Sequence, residues 1–334
     1  MSRFSKVSAL VASAAALPLA DSVAAQTLPS GVPGATTFSF EGGISFSNLS
    51  NSNYPAGAVP FIPQDLDKVG SPPRSTGDLD PGRRFGGYGS FSIGRNIDAV
   101  NDWRFSTGFN VFGTRERSTI ASQMFTGFLF SATNSAAITE RDRFGLYTAD
   151  FDFGRNWTTG IVQVRAFAGL RSLYTNDRFD ALLHTEGTDK TGLFTTTTSI
   201  TDSLSQGRSS FFGVGPRAGL DFFAGSTFGL AGNISGAVLI GSRQSSVFTS
   251  NTIVVNGGAP TFGANLVTNN ETTFVGNLSG SLGAAWKFSP MGEVVVGYKV
   301  DKWYNVRENF AFSGLSRKED VFVQTPFIRA TMRF

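Results

Sequence analysis

The chain contains no cysteine and a single histidine among its 334 residues, which removes several kinds of chemistry at once. Without cysteine there are no disulfide bonds and no thiol nucleophiles. Any metal site would have to be assembled from His184 and carboxylates, and no grouping of them has the spacing of a known ligand set. We therefore expect neither a metal nor a cofactor.

Long apolar segments and a strong charge bias are missing as well. After Ala25 no stretch has the length and apolarity of a membrane-spanning helix, and the mean hydropathy is -0.02. Membrane insertion would therefore have to take the form of a β-barrel. The formal charge of +3, from 28 basic and 25 acidic residues, is too balanced for a nucleic-acid-binding protein.

The N-terminus has the pattern of an export signal. Arg3 and Lys6 precede an apolar stretch from Ala9 to Ala20, and small residues follow up to Ala25. A membrane anchor needs roughly twenty apolar residues and this stretch has about twelve, so we predict a signal peptide over residues 1–25. Residues 26–36 are then a short periplasmic segment, and residues 37–334 form the rest of the protein.

Glycine and phenylalanine are abundant, with 39 and 33 residues, and the last residues show how they are used. From Phe327 to Phe334, apolar side chains occupy every second position and arginines stand between them. A strand with this period has one apolar and one charged face. Such a strand ending in an aromatic residue is typical of bacterial outer-membrane barrels, so we expect Phe334 to be read by the barrel-assembly machinery.

The same alternation recurs along the chain and predicts an all-β, transmembrane, antiparallel up-and-down barrel of about ten strands, within a range of eight to twelve. The connections alternate between short and long, as periplasmic turns and extracellular loops do. The predicted strands are Thr37–Phe46, Arg84–Arg95, Trp103–Gly113, Arg143–Gly154, Ile161–Tyr174, Ser210–Phe223, Phe228–Gly241, Thr273–Phe288, Gly292–Tyr304 and Asp320–Phe334.

The alternation also sorts side chains by environment. Large aromatics at strand ends predict interface girdles, and the inward parity of Trp303 leaves lining of the barrel mouth as its alternative. The girdle residues are Trp103, Trp286, Trp303, Tyr304 and Phe334. Inward-facing charges predict a polar, pore-lining interior; they are Arg104, Asp150, Asp152, Arg165, Arg171, Arg217, Asp221, Glu293, Lys299, Arg329 and Arg333.

One segment carries a family likeness. The stretch from Phe211 to Asp221, Phe-Phe-Gly-Val-Gly-Pro-Arg-Ala-Gly-Leu-Asp, resembles a hallmark segment of the Legionella-type major outer-membrane protein family. The flanking stretches Phe167–Arg171 and Ala237–Gly241 are similar to neighbouring strands of that family. The resemblance covers roughly the middle third of the chain, and it implies a pore-forming barrel in the outer membrane of a Gram-negative bacterium.

These observations favour a passive pore for small hydrophilic solutes, with a slight preference for anions because inward arginines are in excess. The expected partners are outer-membrane lipid, lipopolysaccharide, the assembly machinery and the solutes. A salt-bridged interior that closes the barrel stays open as an alternative, because barrels of about eight strands are filled by their own side chains. The protein would then be a structural or adhesive barrel acting through its extracellular loops.

The third hypothesis is a barrel hydrolase. His184 falls in the predicted loop after the fifth strand, near Asp177, Asp180, Glu186 and Asp189. A histidine held by a carboxylate above a barrel mouth activates water in principle. Nothing else in the sequence marks a nucleophile, so we predict no enzymatic activity.

Overall fold

The computed structural model describes residues 32–48, 84–126, 130–191, 195–310 and 316–334. The predicted signal peptide and residues 26–31 lie outside these ranges. The described residues contain no helix that is long and apolar enough to cross a membrane. They form ten strands: β1 (Thr36–Ser47), β2 (Arg84–Asn96), β3 (Asn101–Thr126), β4 (Phe130–Thr159), β5 (Val162–Thr191), β6 (Thr195–Gly225), β7 (Phe228–Val255), β8 (Thr261–Ser289), β9 (Gly292–Phe310) and β10 (Ser316–Arg333).

The strands close into one antiparallel ring. Each strand pairs with the next along the chain, and β10 pairs back with β1, from Arg333 opposite Thr37 to Val323 opposite Ser47. Closure pairs every strand with a neighbour on both sides in the membrane-spanning part of the ring, which a sheet needs if its backbone is to cross hydrocarbon. The predicted strand number and up-and-down order are confirmed.

Side chains alternate between the two faces as the sequence predicts. On β6 the exposed fractions of Phe212 and Leu220 are 59% and 45%, while Phe211 between neighbouring outward residues is only 1% exposed. Apolar side chains therefore cover the outside of the ring, and the predicted charged set points inward. An outward apolar surface of this kind is the face that meets lipid.

The strands are much longer than the sequence predicts, and this corrects the expected loops. Strands β3 to β8 are 26 to 31 residues long, whereas a tilted membrane span takes about ten. The segments predicted as long loops, 114–142, 175–209 and 242–272, are mostly paired strands. The Thr- and Ser-rich stretches in these segments pair readily as strands. Their outer face contacts water, so it need not be apolar, and the alternation of apolar and polar residues that predicts a strand is lost.

A hairpin signal within the predicted loop 242–272 was missed. Asn256 and Gly257 have positive φ angles of 51° and 66°, and the Gly258 N–H donates to the Val255 carbonyl over 2.9 Å. These angles suit the turn that an Asn-Gly dipeptide forms between antiparallel strands. The Asn256 side chain also accepts from the Thr198 N–H over 2.8 Å, which ties the turn to β6.

The two ends of the barrel differ. Four short connections, residues 97–100, 160–161, 226–227 and 290–291, lie at one end, which we call the turn end. The start of β1 and the last residue of the chain meet there, because the Thr36 N–H donates to the Phe334 carbonyl over 2.9 Å. At the opposite end, the hairpin end, β3 to β8 rise well above the short strands β1 and β2.

Candidate functional site

The half of the interior nearer the turn end encloses a cavity of about 720 Å³, which we call the vestibule. Its lining runs from Pro33, Met291 and Phe334 at the turn end to Leu146 and Trp303 near mid-barrel. Every charged residue that the sequence predicts to line a pore borders this cavity: Arg104, Asp150, Asp152, Arg165, Arg171, Arg217, Asp221, Glu293, Lys299, Arg329 and Arg333.

Most of these charges are paired with one another. Arg171 forms a two-pronged ion pair with Asp150, with N–O distances of 2.7 and 2.8 Å, and its third nitrogen donates to Asn277. Arg217 binds Asp152 and lies 3.4 Å from Asp150. Since these side chains are no more than 10% exposed, losing one partner would leave another charge buried without compensation.

A second group of ion pairs lies closer to the turn end. Arg165 reaches Asp102 over 2.7 Å and Asp221 over 3.2 Å, and Arg104 reaches Asp221 over 3.1 Å. Asp102 is not among the predicted pore-lining residues, because the alternation places it in the turn before the third strand. The inward Asp102 directly follows Asn101, where β3 begins, so its parity with Arg104 was the available signal.

The vestibule does not have the predicted excess of positive charge. Its described lining contains seven cationic and seven anionic side chains, so the expected preference for anions is not supported. The cations are Arg104, Arg165, Arg171, Arg217, Lys299, Arg329 and Arg333, and the anions are Glu41, Asp102, Asp150, Asp152, Asp221, Glu293 and Asp301.

A layer of apolar side chains separates the vestibule from the hairpin end. We call this layer the septum; its members come from β3 to β10 and are at most 5% exposed: Phe112, Phe144, Leu146, Leu173, Phe211, Ala237, Leu239, Val275, Trp303, Val306, Val321 and Val323. Each of these eight strands contributes one or two inward positions, so the septum is about 7 Å thick along a strand. An apolar layer in a pore resists wetting and stops polar solutes.

The septum is not among the features that the sequence predicts, although a signal for it exists. Apolar doublets such as Leu173-Tyr174, Phe211-Phe212 and Trp303-Tyr304 break the alternation near the hairpin-end limit of the predicted strands. One member of each doublet faces lipid and the other faces inward. Trp303 is 2% exposed and its ring lies under the Arg171 guanidinium at 5.7 Å, so its assignment to the girdle is wrong and it lies inside.

Above the septum an ion pair crosses the whole lumen. Arg307 of β9 reaches Asp177 of β5 over 2.5 Å and Asp142 of β4 over 2.9 Å. Strands β9 and β4 are five steps apart in the ring of ten, so the Arg307–Asp142 pair spans the barrel along a diameter. We call this set the Arg307 bridge, and it closes the lumen a second time.

The other predicted girdle residues lie on the outside. Trp286, Tyr304 and Phe334 are 49%, 45% and 69% exposed. Trp286 stacks on Phe228 at a ring distance of 6.3 Å, and the partly exposed Trp103 lies 6.3 Å from Phe151. Three of them, Trp103, Trp286 and Phe334, are near the turn end, and Tyr304 is at the opposite limit of the apolar outer surface.

His184 lies on strand β5 and not in a loop, on the outer face of the sheet at the hairpin end. Its Nδ1 atom is 2.6 Å from Asp202 and its Nε2 atom is 3.2 Å from Glu186. The two carboxylates raise the pKa of His184, Asp202 more than Glu186. Because both ring nitrogens lie within hydrogen-bond distance of a carboxylate, this geometry favours the protonated imidazole over the neutral form that a general base requires. The hydrolase hypothesis gains no support from this geometry.

Comparison with known proteins identifies the family. The sequence model of one protein family, described as Legionella pneumophila major outer membrane protein precursor, matches residues 41–334. The chain belongs to this family. It is therefore a protein of the Gram-negative outer membrane, and the turn end, with its short connections, faces the periplasm. No curated protein matches the chain.

Several solved structures are similar to the chain at low sequence identity. The outer membrane protease OmpT from Escherichia coli is 9% identical, with 91% of this chain and 98% of that chain covered and a TM-score of 0.41. The autotransporter NalP translocator domain from Neisseria meningitidis is 11% identical, with 90% and 89% covered and a TM-score of 0.23. The toluene transporter TodX from Pseudomonas putida is 8% identical, with 90% and 89% covered and a TM-score of 0.22. We draw no functional conclusion from any of them.

The ion pairs of the vestibule yield a stability prediction. Asp150→Ala removes the carboxylate that binds Arg171 and leaves that guanidinium buried, so we expect a loss of about 3–5 kcal/mol in the free energy of unfolding. Denaturant-induced unfolding in lipid vesicles measures it. Asp180→Ala, which removes an exposed carboxylate from the outer face of β5, should change the same quantity by less than about 1 kcal/mol. Equal effects of the two variants would contradict the prediction.

His184 gives a prediction on pH, because the only histidine of the chain has one resolvable titration by NMR. Its raised pKa in the folded protein means that it adds stability at low pH, which is lost as pH rises through that raised pKa. Asp202→Asn should lower the pKa of His184 more than Glu186→Gln does. A wild-type pKa at or below that of a free imidazole would refute the arrangement.

Proposed function

We propose that this protein is a channel for small hydrophilic solutes that is closed at rest. The observation that carries the proposal is the vestibule: a charged cavity of about 720 Å³ ends at an apolar septum only one or two residues thick. Buried ion pairs add little net stability over apolar packing. A charged interior is therefore better explained by contact with water and solutes than by stability alone.

The resting state is closed for two physical reasons. The septum excludes water from mid-barrel, as apolar constrictions do in gated channels. The Arg307 bridge then crosses the lumen above it. Conduction requires both to move. The Arg307 and Asp142 side chains are 1% and 0% exposed, so opening of the bridge must let water or other polar groups reach these charges as they separate. With seven charges of each sign in the vestibule, we expect little selectivity between cations and anions.

Planar-bilayer recording tests the proposal. Wild-type protein should show rare openings, and Arg307→Ala should raise the open probability at least tenfold, because the diametric link is gone. The matched control is Lys302→Ala, which removes a cation from the same strand but on the outer face, where Lys302 binds Asp320 over 3.0 Å. If neither the wild type nor Arg307→Ala opens while the fold is intact, the channel proposal is wrong.

A permanently closed barrel that binds partners at the cell surface is the second candidate. It is favoured by the hairpin end, where β8 extends beyond its pairing with β9, which begins only at Gly276. Phe262 and Leu266 on this free edge are 74% and 62% exposed. An exposed apolar strand edge is a common docking surface for another chain. A silent channel in the recordings would favour this candidate.

We also propose that the assembly machinery recognises the C-terminal strand through Phe334. Its side chain lies on the outer face at the periplasmic end and is 69% exposed even in the closed ring, so it is accessible from the periplasmic side. Phe334→Ala should therefore slow membrane assembly in cells, whereas Met332→Ala, on the same outer face, should not. Pulse-chase analysis of the folded fraction measures this. Equal assembly rates for wild type and Phe334→Ala would exclude the proposal.

A further inference from the structure

Three arginines form a row across the outer face of the barrel. Arg143 of β4 stands directly opposite Arg178 of β5, and Arg178 stands directly opposite Arg208 of β6. All three side chains are exposed. Since neighbouring strands are about 4.8 Å apart, three positive charges lie within roughly 10 Å of each other.

This row has no compensation among the residues that the structure describes. No ion pair joins Arg143, Arg178 or Arg208 to a described carboxylate, whereas the inward arginines of the vestibule are largely paired with one another. Like charges directly opposite each other across strands are destabilising. Asp180, the outward carboxylate next along β5, stands opposite Arg141 and not opposite any of the three. The row is therefore a cluster of three positive charges that would be stabilised by a bound anion.

The height of the row is set by the aromatic residues below it. Tyr147, Tyr174 and Phe212 are neighbours on the same three strands, and the two tyrosine rings are 6.0 Å apart. Each arginine lies four residues from the aromatic residue of its own strand, towards the extracellular side. Four residues measure about 13 Å along a strand, or roughly 10 Å along the membrane normal for a strand tilted by about 40°.

The guanidinium groups therefore stand just above the hydrocarbon edge of the outer leaflet. The residues between the arginine row and the aromatic row are Gly145, Asn176 and Ser210, which suit a polar interface. On the β7 side of the row, the next residues in register are uncharged: Ser246 of β7 and, beyond it, Thr268 of β8. The positive charge of the row therefore does not extend onto β7 and β8.

We propose that Arg143, Arg178 and Arg208 bind the phosphate groups of a lipopolysaccharide molecule in the outer leaflet. The planar fork of arginine matches phosphate geometry and makes charge-assisted hydrogen bonds to it. A phosphate between adjacent guanidinium groups turns their mutual repulsion into shared attraction. Acyl chains of the same molecule would lie below, against Tyr147, Tyr174 and Phe212, which are all exposed on the lipid-facing surface.

The test compares two sets of variants in their binding of purified lipopolysaccharide. The row variant carries Arg143→Gln, Arg178→Gln and Arg208→Gln. The control carries Arg95→Gln and Arg155→Gln, which remove exposed outward arginines at the periplasmic end. Lipopolysaccharide should raise the unfolding midpoint of wild type and control alike, and the row variant should bind it at least tenfold more weakly. In lipopolysaccharide-free detergent the row variant should be as stable as wild type or more so, because repulsion has been removed.

Three probes separate the sources of phosphate. Intact lipopolysaccharide should bind to the wild type. Enzymatically dephosphorylated lipopolysaccharide should bind to the wild type only as weakly as intact lipopolysaccharide binds to the row variant. Inorganic phosphate at the same concentration should have no effect on the unfolding midpoint. Unchanged lipopolysaccharide binding by the folded row variant would overturn the proposal. An equal stabilisation by vesicles of phosphatidylglycerol would overturn the assignment to lipopolysaccharide. Neither outcome bears on whether the lumen conducts.

Discussion

The structure depends on the pairing of its first and last strands. Between β1 and β10 the ladder runs from Thr37 opposite Arg333 to Ser47 opposite Val323, and it converts an open ten-stranded sheet into a ring. A lipid-exposed sheet edge would leave a row of unpaired backbone groups in hydrocarbon, each costing several kcal/mol. With the ring closed, the outer surface is free to be apolar, and the charged side chains have an interior in which to pair.

The interior then follows from charge pairing in a confined space. Near the periplasm the ring leaves a vestibule where arginines and aspartates neutralise each other, as Arg171 does with Asp150. Farther along, apolar side chains from opposite walls meet in the septum, and Arg307 joins walls five strands apart. A ten-stranded ring is only slightly wider than an eight-stranded one, so side chains of ordinary length are enough to close it.

Much of this architecture is predictable from the sequence, because lipid imposes a strict alternation. Within the membrane the alternation gave the strand number, the order and the inward side of residues such as Arg217 and Asp221. Outside the membrane, water contacts the outer face of the sheet, so polar outward residues such as Gln206 and Gln244 are tolerated. The apolar alternation is then lost, and for this reason the sequence predicts loops where the structure has extended hairpins. The interior was harder to predict: alternation shows that Leu239 faces inward, but only three-dimensional register shows that it meets a septum.

The arginine row illustrates the same limit. Arg143, Arg178 and Arg208 lie far apart in the sequence, in segments that do not resemble one another, and become neighbours through the register of two hairpins. Cross-strand register is set by the whole ring, because a shift of one residue would turn every side chain to the other face. Features that depend on cross-strand register therefore required the structure, whereas the inward or outward side of a residue on a membrane strand did not.

Disulfide trapping between β1 and β10 measures most directly whether the ring is closed in this register. Because the natural chain has no cysteine, the two introduced thiols have no others to compete with. Phe40 and Ala330 stand directly opposite each other on β1 and β10. A Phe40→Cys/Ala330→Cys variant should form a cross-link between the two strands in membranes, and Phe40→Cys/Met332→Cys, displaced by two residues, should form much less. A stronger cross-link in the displaced pair, or none in either, would contradict a ring closed in this register.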